Sequence, residues 1–174
     1  MLLVSFSGSG LFSRHPVPDA PAVSPVTLPV APVSAKPVRR KGSLRLLAGP
    51  YAHWIRSAAR NAGIPPALLA AVAYEENGGN FQGAAHRVSG AGAIGVMQLM
   101  PDTAWKVLRV NPWNPRQNIQ GAARYLARMI SRFHGNLREA LMAYNAGPTA
   151  VREHLASVSS RTYAERVLQL EERV

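Results

Sequence analysis

The sequence predicts an all-α fold: one domain of six to seven short helices around a single core, with at most a minor β-hairpin and a disordered proline-rich segment ahead of it. Three observations carry this. Apolar residues recur at three- and four-residue steps in several segments, Gly and Pro punctuate those segments, and no stretch alternates with period two for long.

Half of the fourteen prolines fall between residues 13 and 43, at Pro16, Pro18, Pro21, Pro25, Pro29, Pro32 and Pro37. Proline removes backbone donors and fixes φ, so residues 1–43 are expected to be a disordered Pro/Ala-rich segment and linker, closed by Arg39-Arg40-Lys41, with the folded domain at 44–174.

In the domain, Tyr51, Trp54, Ile55, Ala58 and Ala62 form one stripe, which Gly63 ends. Pro65-Pro66 opens a second helix with Leu68, Leu69, Val72 and Ala73 on its apolar face, stopped by Gly78-Gly79. Residues 80–96 are rich in Gly, Ala and Ser and read as loop. Pro101 opens a short helix whose apolar positions are Ala104, Val107 and Leu108. The clearest helix runs from Arg116 to Phe133, where Ile119, Ala122, Leu126, Met129, Ile130 and Phe133 share a face while Arg124, Arg128 and Arg132 lie elsewhere. Helices over 137–146, 149–156 and 162–172 complete the set.

Composition bounds the function. With no cysteine, disulfides and thiolate metal sites are excluded. The net charge is +11, of which +4 lies in residues 1–43 and +7 in the rest, and a basic surface favours a polyanion: nucleic acid, anionic lipid or cell wall. No run of eighteen apolar residues suggests a membrane span, and Met1–Phe12, lacking a basic start and broken by Gly8 and Gly10, makes a poor signal peptide. The five histidines are scattered, so no metal site is expected; no phosphate loop or serine elbow is present.

The chemistry must come from few residues. Of nine carboxylates, Asp19 lies in the linker, Asp102 suits a first helical turn, and Glu139, Glu153, Glu165, Glu171 and Glu172 sit among basic neighbours on helices. Glu75 and Glu76 differ. They end an apolar helix, facing the negative end of its dipole, and partial burial there raises a carboxyl pKa toward the range a general acid needs. Helical spacing does not separate the two, and a polar pair at a helix end is an equally good account. Gln98 is the one strongly polar group among Val96, Met97, Leu99 and Met100; it fits either a packed turn or a contact to a sugar. Tyr144-Asn145 before Gly147-Pro148, and Tyr163 on the last helix, read equally as helix-end packing or as carbohydrate contacts.

These segments together resemble the soluble lytic transglycosylase family, whose catalytic domain is similar to goose-type lysozyme; the likeness spans about Tyr51 to Leu170. Ile64 to Val72 resembles the helix leading to the family's catalytic glutamate, and that register selects Glu76, with Asn77 where Ser is usual. Ser89 to Pro101 resembles the Ser-x-x-Gly-Ala-x-Gly-Leu-Met-Gln-x-Met-Pro run, with Gly90 where Pro is common and Val96 for Leu. Asn118-Ile119, Gly121 and Tyr125-Leu126 fit a third motif, Tyr144 to Pro148 a fourth, and Thr162-Tyr163 with Arg166-Val167-Leu168 the closing helix.

The resemblance implies a lysozyme-like domain that cleaves peptidoglycan glycan strands between N-acetylmuramic acid and N-acetylglucosamine, leaving 1,6-anhydro ends. Glu76 would be the lone acid/base, and no cofactor or metal is implied. Ser89, Gln98, Met100, Tyr144 and Asn145 would line the glycan cleft, and Tyr163 would bind substrate or hydrogen-bond Glu76; Tyr125 is a lesser candidate. A monomer at the periplasm or cell envelope is expected, by analogy beside a secretion, conjugation or phage machine. The alternatives are a lysozyme-type hydrolase on the same fold, a peptidoglycan-binding protein without catalysis, and a nucleic-acid binder, which the lack of aromatics interleaved on a basic helix disfavours.

Overall fold

Leu68 to Ala73 are all buried, so the helix that carries them, α3 (Pro66–Glu76), is the central one. A helix apolar all round has no solvent face and must be surrounded. The computed structural model describes residues 42–174, and every element below belongs to that stretch. The expected disordered segment at 1–43 lies outside the described residues apart from Gly42 and Ser43, and Gly42 donates its N–H to the carbonyl of Arg173 at 2.7 Å.

The elements around α3 are α1 (Arg45–Ala48), α2 (Ala52–Ala62), a π-helix (Thr103–Leu108), α4 (Pro115–Arg132), α5 (Leu137–Ala146), α6 (Pro148–Arg152) and α7 (Val158–Glu171). α3 packs on α1, α2 and α7; α4 packs on α2 and α5; α5 packs on α7. Their apolar faces form one continuous core that includes Ile55, Leu69, Met97, Ile119, Leu126, Leu141 and Val167. Among the described residues there is no strand, only isolated bridges of Val88 and Leu99 to Ile94 in the 80–100 segment, and no helix is long and apolar enough to cross a membrane.

The helix starts follow side-chain capping. Asn114, Asn136 and Ser157 each accept a backbone N–H from the first turn of α4, α5 and α7. The last cap places α7 four residues earlier than the spacing predicts, because Ser157 takes the N–H of Ser160 at 3.2 Å. The helix expected over 149–156 is limited to Pro148–Arg152; the chain turns away at His154, whose φ is +57°. α1 was not expected. The segment after Pro101 differs most. It winds as a π-helix, and its wider turn leaves Val107 53% exposed while Ala104 and Leu108 stay in the core.

Candidate active site

α3 delivers Glu76 to the wall of an open cleft of about 420 Å³. The helix stops there because Asn77 leaves helical geometry and Gly78-Gly79 follow, with the N–H of Gly79 closing on the carbonyl of Tyr74 at 2.9 Å. Across from Glu76, the cleft is lined by Ser89, Gln98 and Met100 from the 80–100 segment, by Thr103 and Tyr125, and by Tyr144 and Asn145 at the end of α5. Five expected cleft residues therefore meet Glu76 in one space. Tyr163 is placed differently: it is buried behind the acid, and its hydroxyl donates to Glu76 Oε1 at 2.7 Å.

Burial pushes the Glu76 carboxyl up to about 7. The Tyr163 hydrogen bond pulls it down and the neighbouring Glu75 charge pushes it up, both less strongly than burial. Glu75 turns the other way. It is half-buried against α7, with Arg166 Nη1 3.3 Å from its Oε1. The two adjacent acids, which helical spacing leaves equivalent, thus have separate surroundings: one is buried in the cleft wall against a phenol, the other meets a guanidinium. Burial also holds the Tyr144 and Tyr163 phenols well above their ordinary range, so both remain hydrogen-bond donors. Tyr144 donates to the carbonyl of Met97 at 2.9 Å, and its ring lies 5.6 Å from that of Tyr125.

The wall facing Glu76 is held by two buried asparagines. Asn118 Oδ1 accepts the N–H of Met97 at 2.8 Å, while its Nδ2 donates to the carbonyls of Ile94 at 2.9 Å and Pro112 at 3.1 Å. Asn77 Nδ2 donates to Ala73 O and Val96 O, both at 2.7 Å, and its Oδ1 accepts from Arg87 Nη1 at 2.8 Å. Asn77 therefore caps α3 and ties the helix end to the loop in one step. Gly95 sits in the tightest part of this loop with φ +81°; a Cβ there would lie 2.7 Å from both Pro112 O and Asn118 Nδ2. The next turn brings Gln98 to φ +46°, a backbone conformation uncommon for a residue with a side chain and of the kind that collects at functional sites. Its Nε2 donates to Gly95 O at 2.8 Å, and no group of the described protein pairs with its amide oxygen.

The roles of Asn77 and Arg87 as a clamp were not visible in the sequence. Asn77 stood out only as a departure from Ser, and Arg87 as one arginine among many. Thr103 was likewise missed as a wall residue, since it was read only as part of a helix start. Among the described residues no group of three His, Asp or Glu side chains is gathered as a metal would require.

An all-helical domain with a buried, protonatable glutamate on the wall of an open cleft places the protein with the lysozyme-like glycan-cleaving folds. More specifically, residues 53–167 match the Transglycosylase SLT domain, and the chain belongs to that family. Its relatives include "Membrane-bound lytic murein transglycosylase F 1" of Alkalilimnicola ehrlichii, 38% identical over 56% of this chain and 20% of that protein, and the "Transglycosylase" of Enterobacteria phage PRD1, 39% identical over 53% of this chain and 33% of that protein. The chain thus spans a third or less of the length of these relatives. Among solved structures, an inactive mutant of the lytic transglycosylase Slt from Pseudomonas aeruginosa superposes with a TM-score of 0.61 at 30% identity, covering 70% of this chain and 24% of that one.

Proposed function

We propose that the protein is a peptidoglycan lytic transglycosylase that cuts the β-1,4 bond between N-acetylmuramic acid and N-acetylglucosamine with Glu76 as its single acid/base. The observation that carries this reading is that Glu76, its carboxyl pushed up to about 7, is the only carboxyl group among the described residues that line the cleft. A hydrolase with two carboxylates needs the second roughly 5–9.5 Å away as base or nucleophile, and here Glu75 is engaged by Arg166 outside the cleft lining.

One acid suffices if the nucleophile is built into the substrate. Glu76 protonates the glycosidic oxygen as the C1–O bond breaks, leaving a carboxylate. The same carboxylate then takes the proton of the muramic C6 hydroxyl as that oxygen bonds to C1, closing the 1,6-anhydro ring and restoring the acid. A carboxyl titrating near neutrality is matched to both halves. In this reading the Tyr163 hydrogen bond steadies the carboxylate formed midway, and the unpaired amide oxygen of Gln98, with Ser89, Met100, Tyr144 and Asn145, holds the sugars. The substrate places the protein's work at the cell envelope.

Digestion of purified sacculi followed by mass spectrometry tests this. Anhydro-muramic ends, lighter than reducing ends by one water, are expected; reducing ends alone would assign a hydrolase instead, and intact sacculi a binding protein.

A further inference from the structure

α7 reaches the end of α3 with two side chains three residues apart, and each meets one of the two adjacent acids. The Tyr163 hydroxyl donates to Glu76 Oε1 at 2.7 Å, and Arg166 Nη1 donates to Glu75 Oε1 at 3.3 Å. Residues three apart lie on one face of a helix, so a single surface of α7 holds both carboxyl groups. The Glu75–Arg166 contact lies outside the cleft lining, yet it acts on the residue next to the acid.

Few charges surround Glu76. Tyr163 from α7, Tyr144 from α5 and Tyr125 from α4 are held protonated by burial and are neutral. Arg87, from the loop, is engaged by Asn77 Oδ1 and by the carbonyls of Asn80 and Gln82. Glu165, beside Arg166 on α7, is paired with Arg138 of α5, and Arg161 is exposed. Arg45, His53, Arg56 and Arg60 of α1 and α2 are exposed as well, and none of them lines the cleft. Burial is the larger cause of the raised Glu76 carboxyl, and the Glu75 charge is the other influence that pushes the same way. Left unbalanced, that charge would hold the proton on Glu76 more firmly. An acid that has to protonate a glycosidic oxygen near neutral pH works best when its affinity for the proton is not far above that pH.

We propose that the Glu75–Arg166 ion pair is a positioning element for the acid: α7 draws the neighbouring carboxylate out of the cleft and offsets its charge, so that Glu76 both gives and takes a proton near neutrality. The inference rests on the reading of Glu76 as acid and base, and it gives Arg166 a role exercised through Glu75. The Glu75 side chain is 19% exposed and that of Arg166 63%. Water therefore screens the pair in part, and its influence on Glu76 amounts to roughly half a pH unit.

The test follows the Glu76 side-chain carboxyl by carbon NMR in the free protein, together with the alkaline limb of kcat/KM on solubilised glycan strands. In Arg166→Gln the Glu75 charge is unbalanced. Both the titration and the limb should move up by roughly half a pH unit, which is about threefold in rate above the limb. In Glu75→Gln the guanidinium is left alone, and both should move down by a similar amount. The double variant Glu75→Gln/Arg166→Gln loses both charges and should return close to the parent. Arg166→Lys keeps the charge and should leave both where they are. A pair that only braced the fold would lower stability in all the neutral variants and move neither readout. An unmoved titration in both single variants, shifts of the same sign, or a double variant that does not return would overturn the proposal, as would a titration that moves while the limb stays. Strands left intact by the parent, with the titration shifting as expected, would remove the transglycosylase reading and leave the pair as the control on the charge of Glu76.

Discussion

The Tyr163 hydroxyl and Glu76 Oε1 meet at 2.7 Å, joining residues 87 positions apart, on the two helices whose packing builds the centre of the domain. The phenol is buried and held protonated, so it donates. It meets the acid from behind, outside the residues that line the cleft.

Replacing Tyr163 by Phe removes a hydrogen bond that stabilises the carboxylate, and the Glu76 pKa should rise further above about 7. The alkaline limb of the kcat/KM profile then moves to higher pH. The maximum rate should fall by about tenfold, the worth of a hydrogen bond to a charged group. Stability should change by less than about 1.5 kcal/mol, since Phe fills the same volume and only one hydrogen bond is lost. A lowered rate with an unmoved pH limb would show that Tyr163 supports packing and does not tune the acid.

Glu76→Gln should abolish lytic activity on sacculi and leave the fold intact. It should also change the pH dependence of stability in a direction fixed by the acid's environment. Glutamate titrates at 4.5 when unperturbed and at about 7 in the folded protein, so between those values the native state binds more protons than the unfolded chain. The stability contributed by the protonated side chain is complete below about 4.5 and is lost as pH rises through about 7. Gln does not titrate. The variant should match the parent at pH 4 and exceed it at pH 8 by on the order of 3 kcal/mol, as read from urea midpoints. A stability difference independent of pH would mean that Glu76 is not desolvated.

Much of this domain is readable from spacing alone, and the exceptions have physical causes. α3, α4 and α5 match their expected spans within a residue because apolar periodicity agrees there with the local start and stop signals, Pro at the start of α3 and α4 and Gly shortly after the end of all three. The start of α7 escaped because Ser157-Val158-Ser159-Ser160 looks like a loop, and a serine cap is recognised only once its N–H partner is seen. The π-winding of residues 103–108 escaped because Ala104, Val107 and Leu108 fit an ordinary helical face; only the backbone reveals that Val107 leaves it. For the site, position in the chain separated neither Glu75 from Glu76 on chemistry nor Asn77 from a neutral replacement. Those distinctions depend on Arg166, Arg87 and Val96, 10 to 91 residues away in the chain.

Asn77 is where this chain departs from the serine that its resemblance to the family leads one to expect, and its side chain makes three hydrogen bonds that a serine hydroxyl is too short to reproduce. Asn77→Ser should therefore destabilise this protein by about 2 kcal/mol, and Asn77→Ala by about 3, through loss of the bonds to the carbonyls of Ala73 and Val96 and of the one that Arg87 Nη1 donates to Oδ1. Because the lost bonds tie Glu76's helix to the loop that carries Gln98, kcat should fall with stability when assayed well below the unfolding temperature. If Asn77→Ser is as stable as the parent, the clamp contributes nothing to the fold.

The same loop allows a separation of backbone strain from crowding. Gly95 and Gly92 have nearly equal φ values, +81° and +86°, but a Cβ at Gly95 meets Pro112 O and Asn118 Nδ2 at 2.7 Å, whereas a Cβ at Gly92 meets nothing within 4 Å. Alanine at position 92 suffers only the left-handed backbone, a cost of about 1 kcal/mol. Alanine at position 95 bears that cost and also displaces Asn118, whose amide holds Met97 N and Ile94 O, so its total should exceed about 3 kcal/mol. Thermal unfolding of the two variants reads the difference directly. Activity should follow the same order, near parental for Gly92→Ala and strongly reduced for Gly95→Ala, because moving Met97 also moves the carbonyl that anchors Tyr144 in the cleft. Equal destabilisation of the two variants would mean that the loop yields to the extra methyl, and that Asn118 does not fix the wall opposite Glu76.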